Sequence, residues 1–195
     1  MANTTFKGTL RSEGGYSSIA TTSGTGAETT QMSISSAGFT SLDANTMATE
    51  AGTGITGGTG TIYRSSVIRE GGIIKTSILI DLTGLRSTAS GDIIGVNGTS
   101  NVCHIGQITA ARNGTILAGR MTCFEAPAGG DPDINVHSAT EGTGVEDGAI
   151  SDLTETLLVN SGDLSAGSVV IFTGVPAADE FLYLTLGATT DADYT

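Results

Sequence analysis

The chain has 195 residues, 38% of them apolar, with 29 glycines, 3 prolines, no tryptophan and a formal net charge of −12. Glycine stands at about twice its usual share of roughly 7%, while charged residues, usually about 25%, make up 14%. An acidic field of this size argues against nucleic acid or an anionic membrane as partner, no stretch approaches the roughly 18 apolar residues of a membrane helix, and the apolar content is too high for a disordered chain.

Residues 1–60 carry isolated apolar points at Phe6, Leu10, Tyr16, Ile19, Ile34 and Phe39 between runs of small residues such as SSIATTSGTGAETT. That composition predicts an extended Gly/Ser/Thr-rich arm and hinge over 1–60, ahead of a β domain over 61–195. The opening MANTTFKGTL lacks a charged segment followed by an apolar one, so no secretion signal is expected. One short helix is expected within TSLDANTMATEAG, with Ser41 or Asp43 as N-cap and Gly52 as its stop. In AGTGITGGTG, residues Gly52, Gly54 and Gly57 match the G-x-G-x-x-G spacing of a dinucleotide-binding turn. That motif needs a buried strand before it and a helix after it, because the pyrophosphate rests on the helix N-terminus. Here NTMATEA precedes and an apparent strand follows, so a hinge is the expectation.

From residue 61 the pattern changes to runs rich in Ile, Val, Leu, Thr and Tyr, separated by Gly, Asn and Asp, as in strands joined by turns. They are TIYRSSVIR, IIKTSILIDL, DIIGV, VCHIGQIT, TILAGRMTCFE, INVHSA, SVVIFT and FLYLTL, with ETLLVN as a weaker member. Turns are expected at Gly71-Gly72, Asn97-Gly98 and Asn113-Gly114, the last closing a hairpin from Cys103 to Cys123. In IIKTSILIDL the residues Ile74, Thr76, Ile78 and Ile80 fall on one face, and Ile73, Lys75, Ser77 and Leu79 on the other. Short strands without intervening helices predict an all-β fold: an antiparallel two-sheet sandwich or jelly roll with an extended N-terminal arm. The tail GATTDADYT reads as a polar turn after the last strong strand, at a place where a further strand would also suit a sheet protein.

The chemistry-bearing residues form no catalytic constellation. With only His104 and His137 in the chain, Ser-His-Asp and Cys-His arrangements have little to work with. Cys103 and His104 are neighbours whose side chains leave a strand on opposite faces. The cysteines Cys103 and Cys123 lack zinc spacing and read as buried free thiols. In DPDINVHSATEG, residues Asp131, Asp133 and Asn135 reproduce the alternating oxygens that open a calcium loop. An EF-hand then needs Gly where Val136 stands and Glu where Gly142 stands, which leaves either a solvated acidic loop or a looser calcium site drawing on Glu141, Glu146 or Asp147. Carbohydrate sites rest on aromatic platforms, which a chain without Trp supplies poorly. No enzyme activity and no cofactor are expected.

The phrases MANTTFKGTLRSEGGY, GGIIKTSILIDLTGLRST, GDIIGV and AGSVVIFTGVPAADEFLYLTLGATTDADYT, which together span much of the chain, resemble small structural proteins of tailed phages, especially marine and cyanobacterial ones. The resemblance is to capsid decoration, or cement, proteins. It implies a β-sandwich or jelly-roll module on the capsid exterior, synthesised in the host bacterial cytoplasm, bound to the major capsid protein and commonly homotrimeric. On that reading the arm supplies apolar anchors at Phe6, Leu10, Tyr16 and Ile19, while Lys7 and Arg11 meet acidic capsid residues. The same arm can instead pair with the chain's own sheets. The alternative function is a β-sandwich carbohydrate- or calcium-binding module on a virion surface.

Overall fold

The computed structural model describes residues 16–21, 28–34, 40–42, 46–70, 72–188 and 192–195, the first three stretches through their backbone alone. Phe6, Lys7, Leu10 and Arg11 lie outside the described residues, as do the side chains of Tyr16 and Ile19. The chain divides into two units, Met1–Asn45 and Thr46–Thr195. In the first, β1 (Tyr16–Thr21), β2 (Glu28–Ile34) and β3 (Thr40–Leu42) form an antiparallel sheet in the order β1-β2-β3, with a register shift between Ser18 and Ile19.

The second unit is all-β. Its strands are β4 (Ile62–Glu70), β5 (Ile73–Asp81), β6 (Arg86–Ser87), β7 (Gly106–Gln107), β8 (Arg120–Thr122), β9 (Ile134–Ala139), β10 (Glu155–Val159), β11 (Val169–Ile171), β12 (Phe181–Leu186) and β13 (Ala192–Asp193). Helical structure among its described residues is limited to α1 (Thr53–Thr56), α2 (Ala110–Asn113) and a 3-10 turn at Ile150–Asp152. A four-stranded sheet in the order β10-β9-β12-β7 occupies the centre, and β4–β5, β8–β11 and β6–β13 are antiparallel ribbons of two strands each.

INVHSA and FLYLTL form the middle of the four-stranded sheet, and in INVHSA the polar side chains of His137 and Ser138 are buried with the apolar ones. Their pairing is continuous from Phe181↔Ala139 to Leu186↔Ile134, and five of the six residues in each strand are buried. Around this sheet the core gathers Ile55, Leu85, Ile93, Ile94, Leu158 and Tyr194. By contrast, β5 keeps the alternation read from its sequence. Ile74, Ile78 and Ile80 pack on the core, while Ile73 and Leu79 face outward.

Several expectations are corrected. Residues 46–60 belong to the second unit and do not form a hinge. The Gly52 N–H donates to the His104 carbonyl at 2.9 Å and the Gly54 N–H to the Val102 carbonyl at 2.9 Å. A Cβ on Gly52 would meet the Val102 carbonyl, and one on Gly54 the Cys103 Sγ, so these glycines permit close backbone approach. A four-residue turn of helix, α1, falls inside the glycine stretch; no helix covers the described part of TSLDANTMATEAG before Gly52.

Asn113-Gly114 closes no hairpin. The Asn113 side chain is buried, its Oδ1 accepting the Thr109 N–H at 2.8 Å and its Nδ2 donating to Thr76 Oγ1 at 2.9 Å. These bonds hold α2, and Gly114 at φ 66° ends it. Consequently β7 pairs with β12 and β8 with β11, and Cys103 and Cys123 do not share a hairpin. The tail forms β13, which pairs with β6 through Ala192↔Ser87 and Asp193↔Arg86, and Tyr194 is buried.

Candidate functional site

The titratable groups are placed as follows. His137 on β9 and Glu155 on β10 form a pair, Nδ1 to Oε2, at 2.7 Å. Among the described residues no hydroxyl or thiol is bonded to that imidazole. In irregular backbone, where no strand separates its face from that of Cys103, His104 lies against Phe181, ring centroids 5.0 Å apart. Burial holds its pKa below the ordinary value and favours the neutral ring. Cys103 and Cys123 are both free, and only Cys103 is fully buried, with its thiol pushed up to about 12 by burial. Burial thus keeps this thiol in its protonated form.

The calcium-like residues are drawn into local bonds. Asp131 Oδ1 accepts the Asp133 N–H at 3.0 Å, and Asn135 Oδ1 accepts the Ser161 N–H at 3.0 Å. Glu141 accepts both the N–H and the hydroxyl of Thr154, each at 2.8 Å. Glu146 accepts the Gly98 N–H at 3.1 Å, and Asp147, itself at φ 57°, accepts the Thr88 N–H at 2.9 Å. These carboxylates therefore act as splints for the loops between strands. Asp133, like Glu146 at its Oε1, has a buried carboxylate oxygen, Oδ1, with no hydrogen-bond partner among the described residues. Desolvation, together with the charges of Asp131 and Asp163, raises its pKa. Among the described residues no group of three or more His, Cys, Asp or Glu is arranged to hold a metal ion.

The surface offers a different kind of site. Exposed large apolar side chains concentrate on two of the ribbons and the segments beside them. The first ribbon, β4–β5, keeps one register through nine cross-strand pairs. Ile62↔Asp81, Arg64↔Leu79, Ser66↔Ser77 and Ile68↔Lys75 share its outer face, where Ile73 is 70% exposed and Leu79 50%. Beneath, an open hollow of about 240 Å³ is lined by Thr46, Glu50, Tyr63, Arg64 and Ser65. The Ser65 hydroxyl donates to both oxygens of Glu50, and the Tyr63 hydroxyl donates to the Ile105 carbonyl at 2.9 Å. Burial first and the Glu50 charge second raise the Tyr63 pKa, so this hydroxyl stays protonated and ties the ribbon to the core.

The second ribbon, β8–β11, buries Met121 and Val170 in part against the core and turns Val169 and Ile171 outward. Leu117, Phe124 and Val175 beside it are exposed as well, Leu117 at 86% and Phe124 at 74%. Such grouping of large apolar side chains marks an interaction surface more often than scattered exposure does. Sequence reasoning placed Ile73 and Leu79 on the mixed face of their strand. It missed Leu117, Phe124 and Ile171 because it read TILAGRMTCFE and SVVIFT as half-buried strands. Comparison of the chain with family models, with curated proteins and with solved structures found no match.

Proposed function

We propose that this chain is a virion structural protein that decorates and stabilises an icosahedral phage capsid, binding the lattice of the major capsid protein from outside as a homotrimer. In this reading the second unit is a two-sheet sandwich of jelly-roll kind, and the protein works by being held between neighbours, with no catalytic step. The observation that carries the proposal is the distribution of apolar surface: Ile73, Leu79, Leu117, Phe124 and Ile171 are exposed on or beside ribbons, while no described histidine or thiol is set up for chemistry. The sequence resemblance to tailed-phage cement proteins supports the same role. Many copies of a modest contact, each crossing several capsid subunits, resist expansion of the shell because expansion must break them together. An acidic exterior keeps packaged DNA and neighbouring particles at a distance.

The alternative, a calcium- or carbohydrate-binding module, draws little support, since Asp131 Oδ1 and Asn135 Oδ1 accept the chain's own N–H groups and the described residues hold no group of three or more ligands. Mixing the purified protein with shells that lack it, followed by pelleting, tests the proposal. Saturable co-sedimentation is expected, and failure to pellet with every candidate shell overturns it. In the same preparation, deletion of residues 2–20, which carry Phe6, Lys7, Leu10, Arg11, Tyr16 and Ile19, is expected to weaken co-sedimentation and leave thermal stability unchanged.

A further inference from the structure

At the turn that carries Asn97 and Gly98 we infer a site of self-modification: the Gly98 nitrogen attacks the Asn97 carboxamide, with Glu146 as the base that takes its proton, and converts this asparagine into an acid. The inference is independent of the capsid role proposed above.

Asn-Gly occurs twice in the chain, at Asn97 and at Asn113, and the fold sets the two apart. Asn97 and Gly98 are both exposed, in a turn closed by the Thr99 N–H on the Val96 carbonyl at 3.4 Å. A Cβ on Gly98 would meet nothing within 4 Å, and its φ of 68° is backbone that glycine adopts freely, so nothing crowds the attacking residue. The Gly98 N–H, whose proton must leave before the nitrogen can attack, donates to Glu146 Oε2 at 3.1 Å. That distance is within the reach of a general base.

The surroundings of Glu146 suit it to the task. It is 8% exposed, and its Oε1 is buried with no partner among the described residues. Desolvation and the neighbouring Asp147 raise its pKa, against the Gly98 N–H and the Arg86 charge, which lower it. Cys103, the other titratable group that faces it, is held in its protonated form by burial. A carboxylate whose proton affinity is raised toward neutrality is a better base than a solvated one. Asn113 lacks every part of this arrangement. It is 2% exposed, its Oδ1 and Nδ2 are bonded to Thr109 and Thr76, and the Gly114 N–H donates to the Ala110 carbonyl, a neutral acceptor, at 3.1 Å.

The step balances without an outside oxidant or reductant. Glu146 takes the N–H proton as the Gly98 nitrogen bonds to Asn97 Cγ. The bond from Cγ to Nδ2 then breaks, Glu146 returns the proton to the departing nitrogen, and ammonia leaves behind a five-membered succinimide. Water adds to either imide carbonyl and opens the ring to aspartate or isoaspartate, so that each event places a new negative charge on the turn.

The test incubates the full chain in mildly alkaline buffer and follows it by peptide mapping, with fragmentation that separates aspartate from isoaspartate. Acid product is expected at residue 97, with ammonia released in equal amount, and none at residue 113. Glu146→Gln keeps an oxygen for the Gly98 N–H but cannot take its proton, and should slow the conversion at least about tenfold with native circular dichroism. If that variant does not fold, the pH dependence in the native chain decides: the rate should level off once Glu146 is ionised, and a rate that climbs steadily with hydroxide overturns the inference. It is equally overturned by an Asn97 that stays intact, by conversion of Asn113 at the same rate, or by a folded Glu146→Gln chain that converts as fast as the native one.

Discussion

Between the four-stranded sheet and the β4–β5 ribbon, strands of similar apolar content meet water in opposite ways. β12 is apolar at nearly every position and is buried on both faces, with Leu186 and Tyr183 fully enclosed. In β5 an equally aliphatic sequence is interrupted on one face by Lys75 and Ser77, and that face stays outside, carrying Ile73 and Leu79 with it. Between these two strands the number of aliphatic residues does not fix burial; the face of β5 that carries Lys75 and Ser77 is the one left outside. The sheet forms the centre of the second unit's core, and the ribbon leaves apolar side chains exposed.

The sharpest way to break this contrast is truncation. Leu186→Ala in the sheet should cost about 2–5 kcal/mol, since it leaves a cavity in a closed core. Leu79→Ala in the ribbon should stay within about 0.5 kcal/mol in the isolated chain. Urea unfolding of both variants at a concentration where the chain is monomeric checks this, and equal costs would show that the ribbon face is covered by the chain itself. Next in size is a comparison of glycines. Gly54→Ala forces a Cβ against Cys103 Sγ and the Asn101 carbonyl and should cost about 1–3 kcal/mol, whereas Gly72→Ala, which meets nothing within 4 Å, should be neutral. Thermal melting distinguishes them.

The smallest effect concerns acidity. The pKa of Asp133 is raised in the folded state above the ordinary 3.8 by burial and by its acidic neighbours. Its contribution to stability is therefore present below 3.8 and is lost as pH rises through the higher folded value. Asp133→Asn should raise the melting temperature at pH 7 and have much less effect at pH 4. His104 works in the other direction: its lowered pKa means that the unfolded chain binds the proton more tightly, so acidification below the ordinary 6.5 destabilises. Melting of His104→Gln across pH 7 to pH 5 should show a flatter profile than the native chain.

The parts of this structure that could be read from residues are those where neighbours in sequence decide the outcome. INVHSA, FLYLTL and ETLLVN form β9, β12 and β10, and the two faces of β5 follow its alternation. DIIGV and VCHIGQIT were harder, because their apolar residues are buried in irregular backbone. Ile94 and Ile105 donate to the carbonyls of Leu184 and Leu182 on β12 without extending the sheet as regular strands, apart from Gly106–Gln107. Satisfying buried N–H groups in this way depends on distant partners and leaves no periodic signal. At Asn113 the turn signal was real and its meaning was not, since a buried side chain bonded to Thr109 and Thr76 stops a helical turn where an exposed one would have turned a hairpin. The acidic stretch from Asp131 to Asp147 resembled ligands in composition, but most of these carboxylates accept N–H groups from loops brought near by the fold. The exposure around the β8–β11 ribbon, at Leu117, Phe124 and Ile171, was the least legible feature, because an uncovered Ile has the same letter as a covered one.

Tyr194 fastens β13 to the folded unit. Its N–H donates to the Leu85 carbonyl, its own carbonyl accepts the Gly84 N–H at 2.9 Å, and its ring is 2% exposed. Thr195, exposed, follows directly. A fluorophore or spin label attached there would tumble with the folded unit and would not swing on a tether, so distances measured from it between copies would report the geometry of an assembly.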